Sequence, residues 1–145
     1  MDTQFDAQWR GFHHIALLTP DLDATIAFYQ GILAMHAGEI MGGDGTRPRH
    51  CFVKPGNSDT WGLHFFENPA TELFTNPELL KGFGIVKGVL QHIAFALPDE
   101  NAANALRQRL QQHKIEMTGI NDLGKIRNFL FLDNNNILLE AAWSK

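Results

Sequence analysis

The chain contains a single cysteine, Cys51, so no intramolecular disulfide can form, and a reducing compartment is the simpler expectation. It has no run of lysine or arginine, and a net charge of −4 leaves no electrostatic footprint for nucleic acid or an anionic membrane surface. Arg47, Arg49, Lys125 and Arg127 offer at most a site for a small anion. The first ten residues are polar and mixed in charge, without the apolar stretch of a secretory signal. No segment approaches the length of a membrane span. These absences together predict a cytoplasmic protein with no nucleic-acid or membrane partner. At 145 residues, the chain suits one compact domain, or two small modules sharing a core, because neither half alone buries much apolar surface.

What the sequence does have is a phrase stated twice. His14-Ile15-Ala16-Leu17-Leu18-Thr19-Pro20-Asp21 returns as His92-Ile93-Ala94-Phe95-Ala96-Leu97-Pro98-Asp99, with His, Ile, Ala, Pro and Asp in register. A repeat of this length points to two copies of one structural module. In the first copy, the apolar run Phe12 to Leu18 reads as a buried strand, and Asp21 is placed to cap a helix carrying Leu22, Ile26, Tyr29 and Leu33 at helical spacing. Strands are expected near His36 to Met41, His50 to Lys54 and Trp61 to Glu67, separated by Gly- and Pro-rich turns. The second copy repeats this order: a strand from Leu90 to Ala96, a helix with Ala103, Leu106 and Leu110 on one stripe, and strands near Ile115 to Ile120, Asn128 to Leu132 and Ile137 to Ala142. Asp133-Asn134-Asn135-Asn136 is a hairpin signal between the last two.

The expected organisation is thus an N-terminal extension (1–11), a first βαβββ module (12–67), a linker with a single-turn helix near Pro77 to Lys81 (68–88), and a second βαβββ module (89–145). The fold class is α+β.

Strand alternation puts His14, Ala16 and Leu18 on one face and Ile15 and Leu17 on the other, and it divides the second copy in the same way. The large aliphatic residues suit packing against a helix, and the other face sets each histidine beside a small alanine. Aligning the last strands of the modules places His64 opposite Glu140. His14, His64, His92 and Glu140 are then one polar residue from each first and last strand, and imidazole and carboxylate are standard ligands of divalent first-row metals. Glu140 interrupts an apolar run, where a carboxylate needs a partner. Glu67 competes with His64 as the fourth ligand, but strand parity sets it with Leu63 and Phe65, which favours His64. His13 lies on the opposite strand face from His14 and reads as a rim residue. His36, His50 and His113 have no counterpart in the other module and read as ordinary surface histidines. Trp61, Phe65, Phe66 and Trp143 are candidates for an apolar pocket wall.

These residues resemble the vicinal-oxygen-chelate superfamily: His14-Ile15-Ala16-Leu17 with Asp21-Leu22 and Phe28-Tyr29, then His92-Ile93-Ala94, then Phe131-Leu132-Asp133 to Leu139-Glu140. That group contains glyoxalase I, epimerases, extradiol dioxygenases, fosfomycin-resistance proteins and bleomycin-resistance proteins. The resemblance implies two βαβββ modules whose mixed sheets curve around a cleft, with one divalent metal ion (Zn, Ni, Mn, Co or Fe(II)) held by His14, His64, His92 and Glu140. The His64 position is the variable one in the family. The closing turn departs from the family's usual Asp-Pro-Asp-Gly-Asn without shifting the register of Glu140. The resemblance also implies a homodimer and a small-molecule substrate.

Such a ligand set leaves coordination positions open, as catalysis requires. The favoured expectation is glyoxalase- or epimerase-like chemistry on a small metabolite with oxygens on adjacent carbons, passing through a stabilised enolate or enediolate, with Glu140 as the catalytic group. If His64 is not a ligand, two histidines and one glutamate make the facial triad of an extradiol-type dioxygenase. The remaining expectations are a metal-free protein that binds a small molecule or antibiotic in the same cleft, and a domain with a vestigial site.

Overall fold

The computed structural model describes residues 8–57, 62–76, 78–81 and 86–145. Trp61, Pro77 and part of the linker lie outside the described residues. The first sheet contains β1 (His14–Thr19), β2 (His36–Ala37), β3 (His50–Lys54) and β4 (Gly62–Glu67) in the order β1-β4-β3-β2, with β1 parallel to β4 and the rest antiparallel. The second contains β5 (Ile93–Ala96), β6 (Asn121–Asp122), β7 (Ile126–Leu132) and β8 (Leu138–Ser144) in the order β5-β8-β7-β6, with the same pattern of directions. Two four-stranded mixed sheets of one topology, each drawn from one half of the chain, make an α+β fold.

Each helix starts where its cap dictates. Asp21 accepts from the backbone N–H of Ala24 at 2.9 Å to open α1 (Leu22–Ile26), and Asp99 accepts from that of Ala102 at 2.8 Å to open α2 (Glu100–Gln112). α1 runs into a π-helical turn, Ala27–Ile32, which the heptad-like spacing does not reveal. Among the described residues no helix is long and apolar enough to cross a membrane.

Three expected strands are shorter than their apolar pattern suggests; the one expected over Leu90 to Ala96 begins only at Ile93, with His92 just before it. Only His36–Ala37 pairs continuously with β3, and Met41 makes a single bridge to His50. The chain then turns at Gly42, where a Cβ would meet the Pro48 carbonyl oxygen at 2.2 Å and where φ is +73°. Near Ile115 to Ile120, only Met117 bridges, to Phe131, and pairing resumes with Asn121 opposite Asn128. The pairing register shifts by one residue between these two points, so a bulge at Thr118 to Ile120 moves the regular strand downstream.

The two halves share one core. Leu63 and Phe65 of the first sheet and Phe129, Phe131, Leu139, Ala141 and Trp143 of the second belong to a single buried cluster, with Leu22, Tyr29, Ala103 and Leu110 from the helical segments. α1 packs on β3 and β4, and α2 packs on β8. Polar bonds cross the seam as well. Arg109 of α2 donates to the carbonyls of Gly31 and Ile32, and Thr19 donates to Asn135 Oδ1 at 3.2 Å. The buried Tyr29 hydroxyl donates to Asp133 Oδ2 at 2.8 Å, while Asp133 Oδ1 accepts the backbone N–H groups of Asn135 and Ile137. Burial pushes the Asp133 carboxyl above its ordinary range despite these three donors. Burial and the Asp133 charge push the Tyr29 phenol well above its own.

Tyr29→Phe is expected to destabilise the fold by about 1–3 kcal/mol in urea unfolding, because it leaves a buried carboxylate one donor short. A phenol raised in the folded state contributes stability that is fully present below about pH 10 and is lost as pH climbs toward the folded value. The Tyr29→Phe variant should lack that alkaline loss when unfolding is compared between neutral pH and pH about 11.

Candidate functional site

On the first sheet the burial alternates as strand geometry requires: His14, Ala16 and Leu18 are exposed, and Ile15 and Leu17 turn inward. In β4, Leu63 and Phe65 enter the core, and Phe65 lies 5.1 Å from the Tyr29 ring, so it is not a pocket wall. His64 and Phe66 take the other face. His64 stacks on Phe52 with centroids 3.8 Å apart, and its ring centre is 5.6 Å from that of His14. Its Nε2 lies 2.8 Å from Nδ1 of His50, and both rings are buried. His50 is therefore no surface histidine. It sits on the open face because His50 and Phe52 both alternate into register with β4, opposite Phe66 and His64; that parity was the available signal. Desolvation, then the nearby His50 and His14, lower the His64 pKa, which keeps this imidazole neutral and its lone pair available at neutral pH. His13 lies on the rim with its Nδ1 2.9 Å from that of His14.

The second sheet places Glu140 on the corresponding face. It is 8 % exposed, and both its oxygens are engaged: Oε1 accepts from Asn128 Nδ2 at 2.8 Å, and Oε2 lies 3.0 Å from Nε2 of His92. His92 precedes β5 and its Nδ1 meets the Gln91 side-chain oxygen. These residues line a cavity of about 810 Å³ that also includes Asn121, Leu130 and Leu138 and is roofed by Leu79 to Lys81.

The four candidates thus fall into two pairs, His14 with His64 and His92 with Glu140. Both sheets turn their helix-covered faces into one core, and each pair lies on the open face of its own half. Among the described residues no cluster of three or more His, Cys, Asp or Glu side chains is arranged to hold a metal. The donor chemistry of the pairs nevertheless fits a divalent cation: imidazole nitrogens, and a carboxylate whose oxygens lie within hydrogen-bond reach of Asn128 and His92.

Glu67 has another task. Its Oε1 accepts the backbone N–H of Leu22 at 3.0 Å and pairs with Arg49 at 3.1 Å, and Arg49 also bonds Asp23. It supports the start of α1 from the core side of β4. Trp143 is buried in the core, which leaves Phe66 as the one described member of the expected aromatic wall on the open face. Arg127 is engaged with Glu100 at 2.7 Å and lies near Asp122, which Lys145 also holds, so its charge is compensated.

The sequence matches the family model for the Glyoxalase/Bleomycin resistance protein/Dioxygenase superfamily over residues 11–141. No curated protein matches it significantly. Among solved structures, a glyoxylase/bleomycin resistance protein/dioxygenase domain from Frankia sp. EAN1pec superposes with a TM-score of 0.74 at 23 % identity, covering 94 % of this chain and 99 % of that one. A variant of the fosfomycin resistance protein FosX from Listeria monocytogenes, complexed with Mn(II) and 1S,2S-dihydroxypropylphosphonic acid, gives 0.66 at 22 % identity, with 92 % and 91 % covered. TnmS3, an antibiotic binding protein from Streptomyces sp. CB03234, gives 0.71 at 16 % identity, with 97 % and 100 % covered. At these identities the likeness is one of fold.

Glu67→Ala is expected to cost about 0.5–2 kcal/mol in urea unfolding, the usual loss when a helix start loses its side-chain acceptor. A double-mutant cycle with Arg49→Ala should show coupling between the two, since the pair is half-shielded from solvent.

Proposed function

The chain belongs to the Glyoxalase/Bleomycin resistance protein/Dioxygenase superfamily, and from that premise we propose that it is a divalent-metal-dependent enzyme acting on a small oxygenated molecule. The observation that carries this reading is the buried Glu140 paired with the exposed His92 on the open face of one sheet, matched by His14 and His64 on the equivalent face of the other. His14, His64, His92 and Glu140 would hold the ion. A bound cation supplies positive charge to stabilise the enolate or enediolate left when a proton is removed beside a carbonyl. Glu140 is the proton acceptor in this reading, since its carboxylate lines the cavity and is kept out of bulk water. The walls there combine the amides of Asn121 and Asn128 with Leu130 and Leu138, which suits a substrate with both oxygens and apolar surface.

The complete site is built in a homodimer. Each pair lies on the open face of its sheet, and among the described residues β1 and β5 are edge strands. A second copy that sets its β5 face beside the first copy's β1 face brings His14 and His64 of one chain toward His92 and Glu140 of the other, twice per dimer by symmetry. A cytoplasmic location accords with the one buried, unpaired thiol.

A second reading has a specific observation in its favour. Glu140 is satisfied by Asn128 and His92 alone, so its burial does not require a metal, and a metal-free binding protein for a small molecule accommodates the same geometry. An extradiol-type dioxygenase, with His14, His92 and Glu140 as ligands, is favoured only by the engagement of His64 with His50.

Protein purified without chelator and reconstituted with zinc, nickel, manganese, cobalt or iron(II) is expected to bind about one equivalent per chain. Less than about a tenth of an equivalent with every metal would overturn the enzyme reading in favour of metal-free binding. His14→Ala and Glu140→Ala should each abolish binding, while Glu67→Ala retains it. Co-refolding the first two variants should restore about a quarter of the wild-type sites, because each mixed dimer then has one intact and one doubly defective site. Failure to restore any would overturn the shared site.

A further inference from the structure

The duplication extends past the four candidate ligands to the residues that hold two of them. Phe52 stands directly across from His64 in the first sheet, and Leu130 directly across from Glu140 in the second. Two residues earlier on each of these neighbouring strands comes a polar side chain on the same open face: His50 in β3 and Asn128 in β7. The first puts Nδ1 2.8 Å from His64 Nε2, and the second donates Nδ2 to Glu140 Oε1, also at 2.8 Å. His50 and Asn128 are 8 % and 6 % exposed. Two unlike side chains thus occupy one position of the repeat and make one kind of contact.

The direction of the bonds in the second sheet follows from elementary chemistry. An ionised carboxylate only accepts, so Asn128 must turn its amide nitrogen to Glu140. Its oxygen then faces Asn121, whose Nδ2 donates to it at 3.1 Å across the β6–β7 pair. The chain Asn121, Asn128, Glu140 runs from the rim of the cavity to the buried carboxylate, and it occupies Oε1 while leaving Oε2 to His92.

We propose that His50 and Asn128 are equivalent positioning residues, one in each module, which fix the orientation of His64 and Glu140 before a metal binds, with Asn121 supporting Asn128 from the cavity rim. This inference rests on the metal-dependent reading. Asn128 restricts Glu140 to offering a single oxygen, and His50 holds the His64 ring in one plane against Phe52.

Cobalt(II) is the probe, because its visible absorption reports coordination number and ligand geometry independently of turnover. Asn128→Leu and His50→Phe fill the space of the side chains they replace without their polar atoms. Each is expected to weaken cobalt(II) binding by about 10–100-fold, the usual effect of losing a partner behind a ligand. Each should also change the visible spectrum of the saturated protein, which a loss of global stability alone would not do. Asn121→Ala, at an exposed strand end, should shift the same spectrum with a smaller loss of affinity. It decides the matter for Asn128 if the buried replacement does not fold, and His50→Ala does so for His50. Unchanged affinity and spectrum in the decisive variant of either module would overturn the equivalence while leaving the metal reading intact. Absence of cobalt(II) binding by the wild-type protein would overturn the reading itself, and this inference with it.

Discussion

Asp133 sits where the last hairpin meets the first helix, and it does two jobs at once. Its Oδ1 gathers the N–H groups of Asn135 and Ile137, which sets the turn, and its Oδ2 takes the hydroxyl of Tyr29, which ties that turn to the other half of the chain. Where the turn ends decides where β8 begins, and where β8 begins decides which way Glu140 points. A slip of one residue would send Glu140 into the apolar core and bring Leu139 or Ala141 to the open face. An uncompensated carboxylate in that core is far more costly than any single contact the slip could gain. The register of the second half, and with it the candidate site, hangs on this one buried carboxylate.

The candidate ligands are divided between the two halves of the chain, His14 and His64 in one and His92 and Glu140 in the other. Each sheet has an apolar face and an open one, and both apolar faces feed a single core. The open faces carry one pair each, and among the described residues no three of these side chains come together. The exposed alanines Ala16, Ala94 and Ala96, beside the histidines, fit a surface that something else approaches closely. In a monomer they would be a weakly covered apolar strip along two free strand edges.

Strand parity makes much of this legible in the sequence. The faces of His14, Ala16 and Leu18 and the separation of Glu67 from His64 follow from a period of two, whereas Phe65, a candidate pocket wall by residue type, lies in the core. Asp21 and Asp99 announced their helices by residue type and position. What could not be read is instructive. His50 looked ordinary because it lacks a matching residue in the repeat, whereas its counterpart is an asparagine, and likeness of position is not likeness of side chain. The bulge near Gly119 and the π-helical turn at Ala27–Ile32 depend on backbone pairing that side-chain pattern does not encode. Parity also states which face a residue occupies but not how that face is turned relative to the other half, so the sequence left open whether the cleft is built within one chain or across a dimer.

The common core has a consequence for the repeat as a historical object. Each half has an apolar face that its own helix covers only together with the other half, so the two share one core although each contains a complete strand–helix–strand pattern. A half-length chain would expose that face to water, and the simplest surface able to cover it is a second copy of the same half-chain. Joining the two copies end to end converts an encounter between molecules into a loop closure, whose entropic cost grows only slowly with the length of the connection. The linker between the modules can therefore vary in length and composition at little expense to the core it holds together.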